Sequence, residues 1–380
     1  MNDATPKAKS GPVPKGQWSQ ALWHDLNRTD IHRSLRKDLR DLYHFYLDDE
    51  DRRKLRGMGS LKRGLVLGWW LLKGLVMNLS PGRRVMLLLS VLLLVFGDFN
   101  FSSGDVSISL NVSLVSFALV LLILMLELKD KLLARDELEV GRAVQLSLLP
   151  AENPSLEGWD IWLFTRPAND VGGDLVDYLP LEGGRLAVFL GDVAGKGLGA
   201  ALLMAKLQST LRALAPEGGD LPMLGARVNR ILCRDGLPGR FATLAYLELV
   251  PGSGTLRLLN AGHIPPLRLV TGSVDTFEPV APPLGVLPEA VYVEQTLEVP
   301  PGATLLVYSD GLTDTQNENG DFFDEARLQS LLATLGGEPA ESAGRRLLGA
   351  ADIFRGEQAP FDDLSLIVLR RASGPGAPGA

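Results

Sequence analysis

From Pro154 onward the hydrophobic pattern of this chain changes from helical spacing to short β-rich runs. These are DIWLFTR (160–166), RLAVFLGDV (185–193), FATLAYLELV (241–250), TLRLLNAG (255–262), TLLVYSDG (304–311) and LSLIVLRR (364–371). Helical stretches fall between some of them, at 198–214, 221–235, 324–335 and 339–354. Several strands follow one another with no helix between, which predicts antiparallel pairing in an α+β layered fold. A chain of 380 residues is too long for one small core, so further units are expected ahead of this region.

The earlier part reads differently. Residues 1–84 carry 17 Lys and Arg against 9 Asp and Glu, while the remainder is strongly acidic. An acidic remainder argues against a nucleic-acid enzyme. A basic start ahead of an apolar run suggests a membrane neighbour. Residues 1–60 read as a cytoplasmic, partly disordered segment with charged helices. Residues 61–127 read as a membrane region. It begins with an interfacial helix at 64–79, whose Trp69 and Trp70 suit a headgroup layer, or else a third span. Spans at about 82–98 and 106–126 follow as a helical hairpin. The positive-inside rule then places both ends in the cytoplasm, at the inner membrane, because Arg83 and Arg84 precede the hairpin and Lys129, Lys131 and Arg135 follow it.

Residues 128–150 have helical periodicity, and Leu126, Leu133 and Val140 recur every seven residues. This predicts a signalling linker that can pair with a second copy as a homodimer, or a plain helix packed on the next domain. Pro150 and Pro154 end it. The final residues, 372–380, read as a disordered tail.

Four acids share a local setting. Asp174, Asp192, Asp310 and Asp362 each sit at a strand end or in a glycine-rich turn. Strand ends on one edge of a sheet can converge although they are distant in sequence. Gathered carboxylates repel unless a cation is present, and all-oxygen ligands suit Mg²⁺ or Mn²⁺. With four His and one Cys in the chain, a His/Cys metal centre has little to draw on. Cys233 is expected to be a small apolar helix residue. GDVAGKG (191–197) is not a phosphate-binding P-loop, because its glycine spacing is one residue short and no Ser or Thr follows the lysine.

In this order the residues resemble a known family. QLSLLP (145–150), NDVGGDLVDY (169–178), GDVAGKGLGAALLMA (191–205), NAGHIPPL (260–267), PLGV (283–286), LLVYSDGLTD (305–314), FDEARL (323–328) and FDDLSLIVL (361–369) resemble the metal-dependent protein phosphatases of the 2C type (PPM), in their bacterial SpoIIE-like branch. The resemblance implies a β-sandwich flanked by helices (α-β-β-α) over 151–371, with two Mn²⁺ or Mg²⁺ ions in a cleft at one edge. Asp192 would bridge both metals, and Val193, where many relatives have glycine, would offer a backbone carbonyl. Asp174 sits where the family places another acid of the centre. Asp310 and Asp362 would complete the ligand set, with Asp363 as the rival to Asp362.

The implied activity is hydrolysis of a phosphoserine or phosphothreonine on a regulatory partner protein, such as a phosphorylated anti-sigma-factor antagonist, by metal-activated water. The alternative is a binding module that keeps the fold without catalysis. His263 is expected as a proton donor or as a structural turn residue. Arg166 and Lys196 are candidates to meet substrate phosphate.

Overall fold

The computed structural model describes residues 54–55, 58–96, 98–103, 106–236 and 239–373. The expected N-terminal segment before residue 54 and most of the expected tail lie outside them. The chain divides into two compact units, Met1–Lys131 and Leu132–Ala380.

In the first unit, α1 runs over Ser60–Asn78 and α2 over Pro81–Phe96. A two-stranded antiparallel pair follows, β1 (Asp98–Ser103) with β2 (Val106–Asn111). Then α3 runs over Val112–Leu148. The Arg83 guanidinium bonds to Glu127 and Asp130, each at 2.6 Å, and the Ser116 hydroxyl donates to the Ser90 carbonyl at 2.7 Å. These contacts fasten α2 to α3.

The expected membrane hairpin is corrected here. Among the described residues, no helix is long and apolar enough to cross a membrane. The 16 residues of α2 reach only about 24 Å at helical rise, short of a hydrocarbon layer of about 30 Å. Residues 106–111, expected to open the second span, form a strand. The uncharged stretch of α3 ends before Glu127, leaving about 22 Å of apolar helix. In α1, Lys62, Arg63 and Lys73 interrupt the apolar sequence.

The second unit is a sandwich. Its strands are β3 (Trp159–Arg166), β4 (Leu175–Pro180), β5 (Leu186–Val193), β6 (Ala242–Leu249), β7 (Thr255–Ala261), β8 (Leu267–Val270), β9 (Ser273–Thr276), β10 (Glu294–Glu298), β11 (Thr304–Tyr308) and β12 (Leu364–Arg371). One sheet has the order β10-β7-β6-β5-β4 and the other β3-β12-β11-β8-β9. Every pairing in both is antiparallel.

Two helices pack on the first sheet. They are α4 (Leu198–Leu214) and α5 (Leu221–Asp235), which the Asp220 side chain caps by accepting the Met223 amide. A single helical turn, α6 (Asp310–Thr313), follows β11, and α7 (Glu325–Leu332) and α8 (Ala340–Arg355) cover the second sheet. The core therefore has three layers. Phe189, Leu207 and Tyr246 belong to the α4/α5 layer. Val188, Leu247, Leu305 and Ile367 fill the space between the sheets. Trp162, Tyr308 and Leu347 belong to the α7/α8 layer. Strand alternation explains the split: in β5, Val188 and Leu190 face the other sheet while Ala187 and Phe189 face the helices. The α-β-β-α sandwich expected for this region is what the structure holds.

Candidate metal centre

The acids converge because the two sheets meet at one edge. Asp192 is the second-last residue of β5 on the first sheet, and Asp310 follows β11 on the second. Asp174 immediately precedes β4, while Asp362 and Asp363 immediately precede β12. Strand ends from both sheets thus supply the carboxylates.

Their electrostatics show crowding. Burial, and then the charge of Asp192, hold the Asp174 carboxyl well above the usual range. Asp174 is 5% exposed, and its Oδ2 has no hydrogen-bond partner. Burial, followed by the charges of Asp310, Asp362 and Asp363, pushes Asp192 up to about 7. Burial, with Asp362 and Asp314 next, raises Asp310 to about 6. Asp314 is raised as well, by burial and by Asp362. Among the described residues, no three or more Asp, Glu, His or Cys side chains already stand in an arrangement that could hold a metal ion. The acids stand close enough to repel and are not neutralised by one another. An orphaned buried carboxylate oxygen among mutually raised acids is the arrangement a divalent cation stabilises, so the residues present fit one.

The adjacent pair Asp362–Asp363 divides cleanly. Asp363 is turned inward at 7% exposure. Its Oδ1 accepts the Ala168 amide at 2.7 Å and its Oδ2 accepts the Gly173 amide at 2.5 Å. Asp362 faces outward, and its Oδ2 lies 3.0 Å from the Lys196 ammonium. Val193 is 1% exposed. Its carbonyl oxygen lies so near Gly173 that a Cβ there would sit 3.1 Å away, with Asp192 Oδ1 at 3.7 Å. Val193 O and Asp192 thus border the same small space. At Gly311 a Cβ would overlap the Asp363 carbonyl, so glycine is required after Asp310 for β11 to meet the β12 loop.

His263 is 2% exposed. Its Nδ1 meets the Thr243 hydroxyl at 2.8 Å, and its Nε2 lies 3.1 Å from the Tyr308 carbonyl. A carbonyl can only accept, so Nε2 carries the proton and Nδ1 accepts from Thr243. Burial pulls this imidazole down to about 4, which keeps it neutral. Thr243 is the register partner of Asp192, and Tyr308 lies two residues before Asp310. His263 therefore braces the first sheet against the second beside the acids. With both ring nitrogens engaged it has no free proton to offer a leaving group. Arg166 is also committed, in a two-pronged pair with Asp352 at 2.7 and 3.0 Å.

Gln145, near the end of α3, belongs to QLSLLP, and the sequence alone assigns it no role. Its side-chain amide donates to the Gly172 carbonyl at 2.6 Å and accepts the Gly172 amide at 3.0 Å. That pairing pins the loop that carries Asp174. Its position inside QLSLLP, just before a proline-ended helix, is the signal that could have singled it out. Asp314, within LLVYSDGLTD, is the other residue that sequence reasoning left without a role.

The two-sheet sandwich with helices outside and acids at one edge defines a PP2C-like phosphatase domain. Residues 182–372, just over half of the chain, match the family model described as Stage II sporulation protein E (SpoIIE). The chain belongs to the SpoIIE family. It is 30% identical over 276 residues to Protein IcfG of Synechocystis sp. (strain ATCC 27184 / PCC 6803 / Kazusa), covering 64% of this chain and 43% of that protein. It is 26% identical over 240 residues to Phosphoserine phosphatase RsbU of Bacillus subtilis (strain 168), covering 62% of this chain and 70% of the relative. Among solved structures it is similar to the RsbU and RsbW domains of Rv1364c from Mycobacterium tuberculosis. That likeness has 28% identity and a TM-score of 0.50, over 59% of this chain and 64% of the other. The chain thus spans less than half the length of IcfG.

Proposed function

We propose that residues 151–371 hydrolyse phosphoserine or phosphothreonine on a regulatory partner protein, in the manner of a metal-dependent phosphatase. The observation that carries this reading is the convergence of buried Asp174 with half-buried Asp192 and Asp310 at strand ends from both sheets, where burial and neighbouring acid charges raise all three carboxyls. Asp174, Asp192, Asp310 and Asp362, with the Val193 carbonyl, would hold two Mn²⁺ or Mg²⁺ ions. When bound, such ions supply a water of lowered pKa and neutralise charge on the phosphoryl oxygens. Asp363 serves the site from behind, holding the Gly173 and Ala168 amides. His263 and Thr243 hold the Asp192 and Asp310 strands in register.

The name of a relative, a phosphoserine phosphatase, supports this substrate class. A phosphorylated anti-sigma-factor antagonist is our candidate within that class. The test is hydrolysis of p-nitrophenyl phosphate and of a phosphoserine peptide by the whole chain with Mn²⁺, with EDTA, and with Asp192→Asn. Activity in Mn²⁺ that is lost in both other arms is expected. Inactivity in Mn²⁺, with no metal bound at equilibrium, would instead leave a non-catalytic binding module.

The setting is also a proposal. Side chains such as Leu65, Trp69, Val85, Val95, Phe117 and Leu124 are exposed, and such a surface suits contact with a membrane or another apolar partner. We place the chain at the inner membrane with its catalytic domain in the cytoplasm; recovery of the full chain in the soluble fraction of a lysate would refute this. The linker is proposed to pair with a second copy and to order the metal site through Gln145. Val140 and Val144, exposed at 65% and 56%, are the side chains for that contact. Polar substitutions there that change neither oligomeric state nor activity would remove the linker from the regulation.

A further inference from the structure

The proposed reaction brings a phosphate dianion to a cluster of acids, so a cation at the mouth of the site has a clear use. The described ion pairs give Asp362 a basic partner, Lys196. Among the described residues, Arg166 and Arg355 both pair with Asp352, and Arg240 donates one of its N–H groups to the Ala194 carbonyl at 3.2 Å.

Lys196 is held out on a built platform. Gly195 and Gly197 flank it with φ of 103° and 76°, a left-handed backbone that favours glycine. The Arg240 guanidinium lies beneath, where a Cβ on Gly199 would come within 3.1 Å of it. The Lys196 ammonium donates to the Phe361 carbonyl at 2.6 Å and lies 4.1 Å above the Phe361 ring. Its side chain is 47% exposed and that of Asp362 is 32% exposed, so both are open to an incoming group. An ammonium has three donors and no acceptor; two are accounted for by Phe361 and Asp362.

We propose that Lys196 is a substrate-binding residue that holds a non-bridging oxygen of the phosphate monoester at the mouth of the metal centre. A lysine binds phosphate as a compact point charge, and this one sits beside an outward-facing acid of the site. The assignment rests on the phosphatase reading above and names how that site recognises its substrate.

The test compares the full chain with Lys196→Met and Lys196→Arg. Loss of a charge-assisted bond to phosphate should raise KM for p-nitrophenyl phosphate, and Ki for inorganic phosphate, by about 10-fold to 100-fold in Lys196→Met. The arginine variant should recover much of that loss. Calorimetric titration of inorganic phosphate into Mn²⁺-treated protein should show the same weakening without turnover. Mn²⁺ affinity should not weaken, and Tm should stay near that of the parent, because a half-exposed pair adds little stability. If Lys196 only braces the loop against Phe361, Lys196→Met will lower Tm or kcat while KM, Ki and phosphate binding stay unchanged, and the assignment is overturned. An inactive parent protein would sink the phosphatase reading and this assignment with it. An active parent with unaltered phosphate constants in Lys196→Met sinks this assignment alone.

Discussion

Asp363 accepts the Gly173 amide at 2.5 Å across 190 residues of sequence, so the loop before Asp174 is anchored to the loop before β12. With the Ala168 amide on its other oxygen, this carboxylate is a buried tie between two turns. Asp363→Ala should cost about 3 kcal/mol of stability, since it strips partners from two backbone amides. Asp362→Asn should leave stability nearly unchanged and lower Mn²⁺ affinity instead. Urea unfolding beside Mn²⁺ titration separates the two; equal behaviour of the variants would contradict the division of roles.

Asp192, raised to about 7, should make the metal-free protein less stable as pH rises. The sign follows from linkage. An unfolded aspartate loses its proton near pH 4, while the folded one keeps it until about 7, so the folded state binds more protons between those values. Tm in EDTA should therefore fall from about pH 4 to pH 7, and the rise in Tm on adding Mn²⁺ should grow over the same window. Asp192→Asn should raise the metal-free Tm at pH 7.5 by a few degrees and abolish the response to Mn²⁺. A Mn²⁺ response that does not change with pH would count against this.

His263 has the opposite sign. Its folded value of about 4 lies below the unfolded value near 6.5, so the unfolded state takes the proton first as pH drops. Its contribution is present above pH 6.5 and is lost as pH falls toward 4, amounting to about 3 kcal/mol in all. The stability gap between the parent and His263→Gln, measured by urea unfolding in EDTA, should shrink across that window. Thr243→Val, which removes one bond of the brace, should weaken Mn²⁺ binding with a smaller loss of stability. A pH-independent gap would mean that the imidazole is not buried as a neutral group.

Gln145→Ala removes both bonds to Gly172. It should cost about 1–2 kcal/mol and lower Mn²⁺ affinity, because the loop bearing Asp174 is released. Hydrogen exchange at Gly172 and Gly173 reads this directly. Unchanged protection there would show that the loop is held without the linker.

Gly311→Ala should destabilise the fold by about 2 kcal/mol or more, because the added methyl meets the Asp363 backbone carbonyl, which cannot swing away. Thermal unfolding of the variant checks it; a parent-like Tm would mean that β11 can shift.

Much of the sandwich was legible in the sequence. The helices 198–214 and 221–235 have those bounds in the structure, because Gly197, Asp220 and Pro222 mark their starts. The long apolar runs became β5, β6, β11 and β12 with little change. The short strands were not legible. β8 and β9 have four residues each and are held by pairing with neighbours more than by any pattern of their own. β4 is not among the β-rich runs visible in the sequence, because the glycines of NDVGGD dominate its start. The apolar runs before residue 127 were read as spans because hydropathy does not reveal that 106–111 pairs as a strand. At the acids, composition and order located the cluster, but which member of Asp362–Asp363 faces outward is set by amides far away in sequence.

The brace through His263 has a consequence for how the molecule tolerates change. Asp192 rides on one sheet and Asp310 on the other, so the centre spans a seam between two bodies. A relative slide of one strand residue, about 3.3 Å, would pull the carboxylates out of alignment while leaving each sheet intact. Substitutions in the inter-sheet layer, such as at Val188 or Ile367, are therefore able to abolish the proposed activity without unfolding the domain, and a bound cation would act as a rivet across the seam.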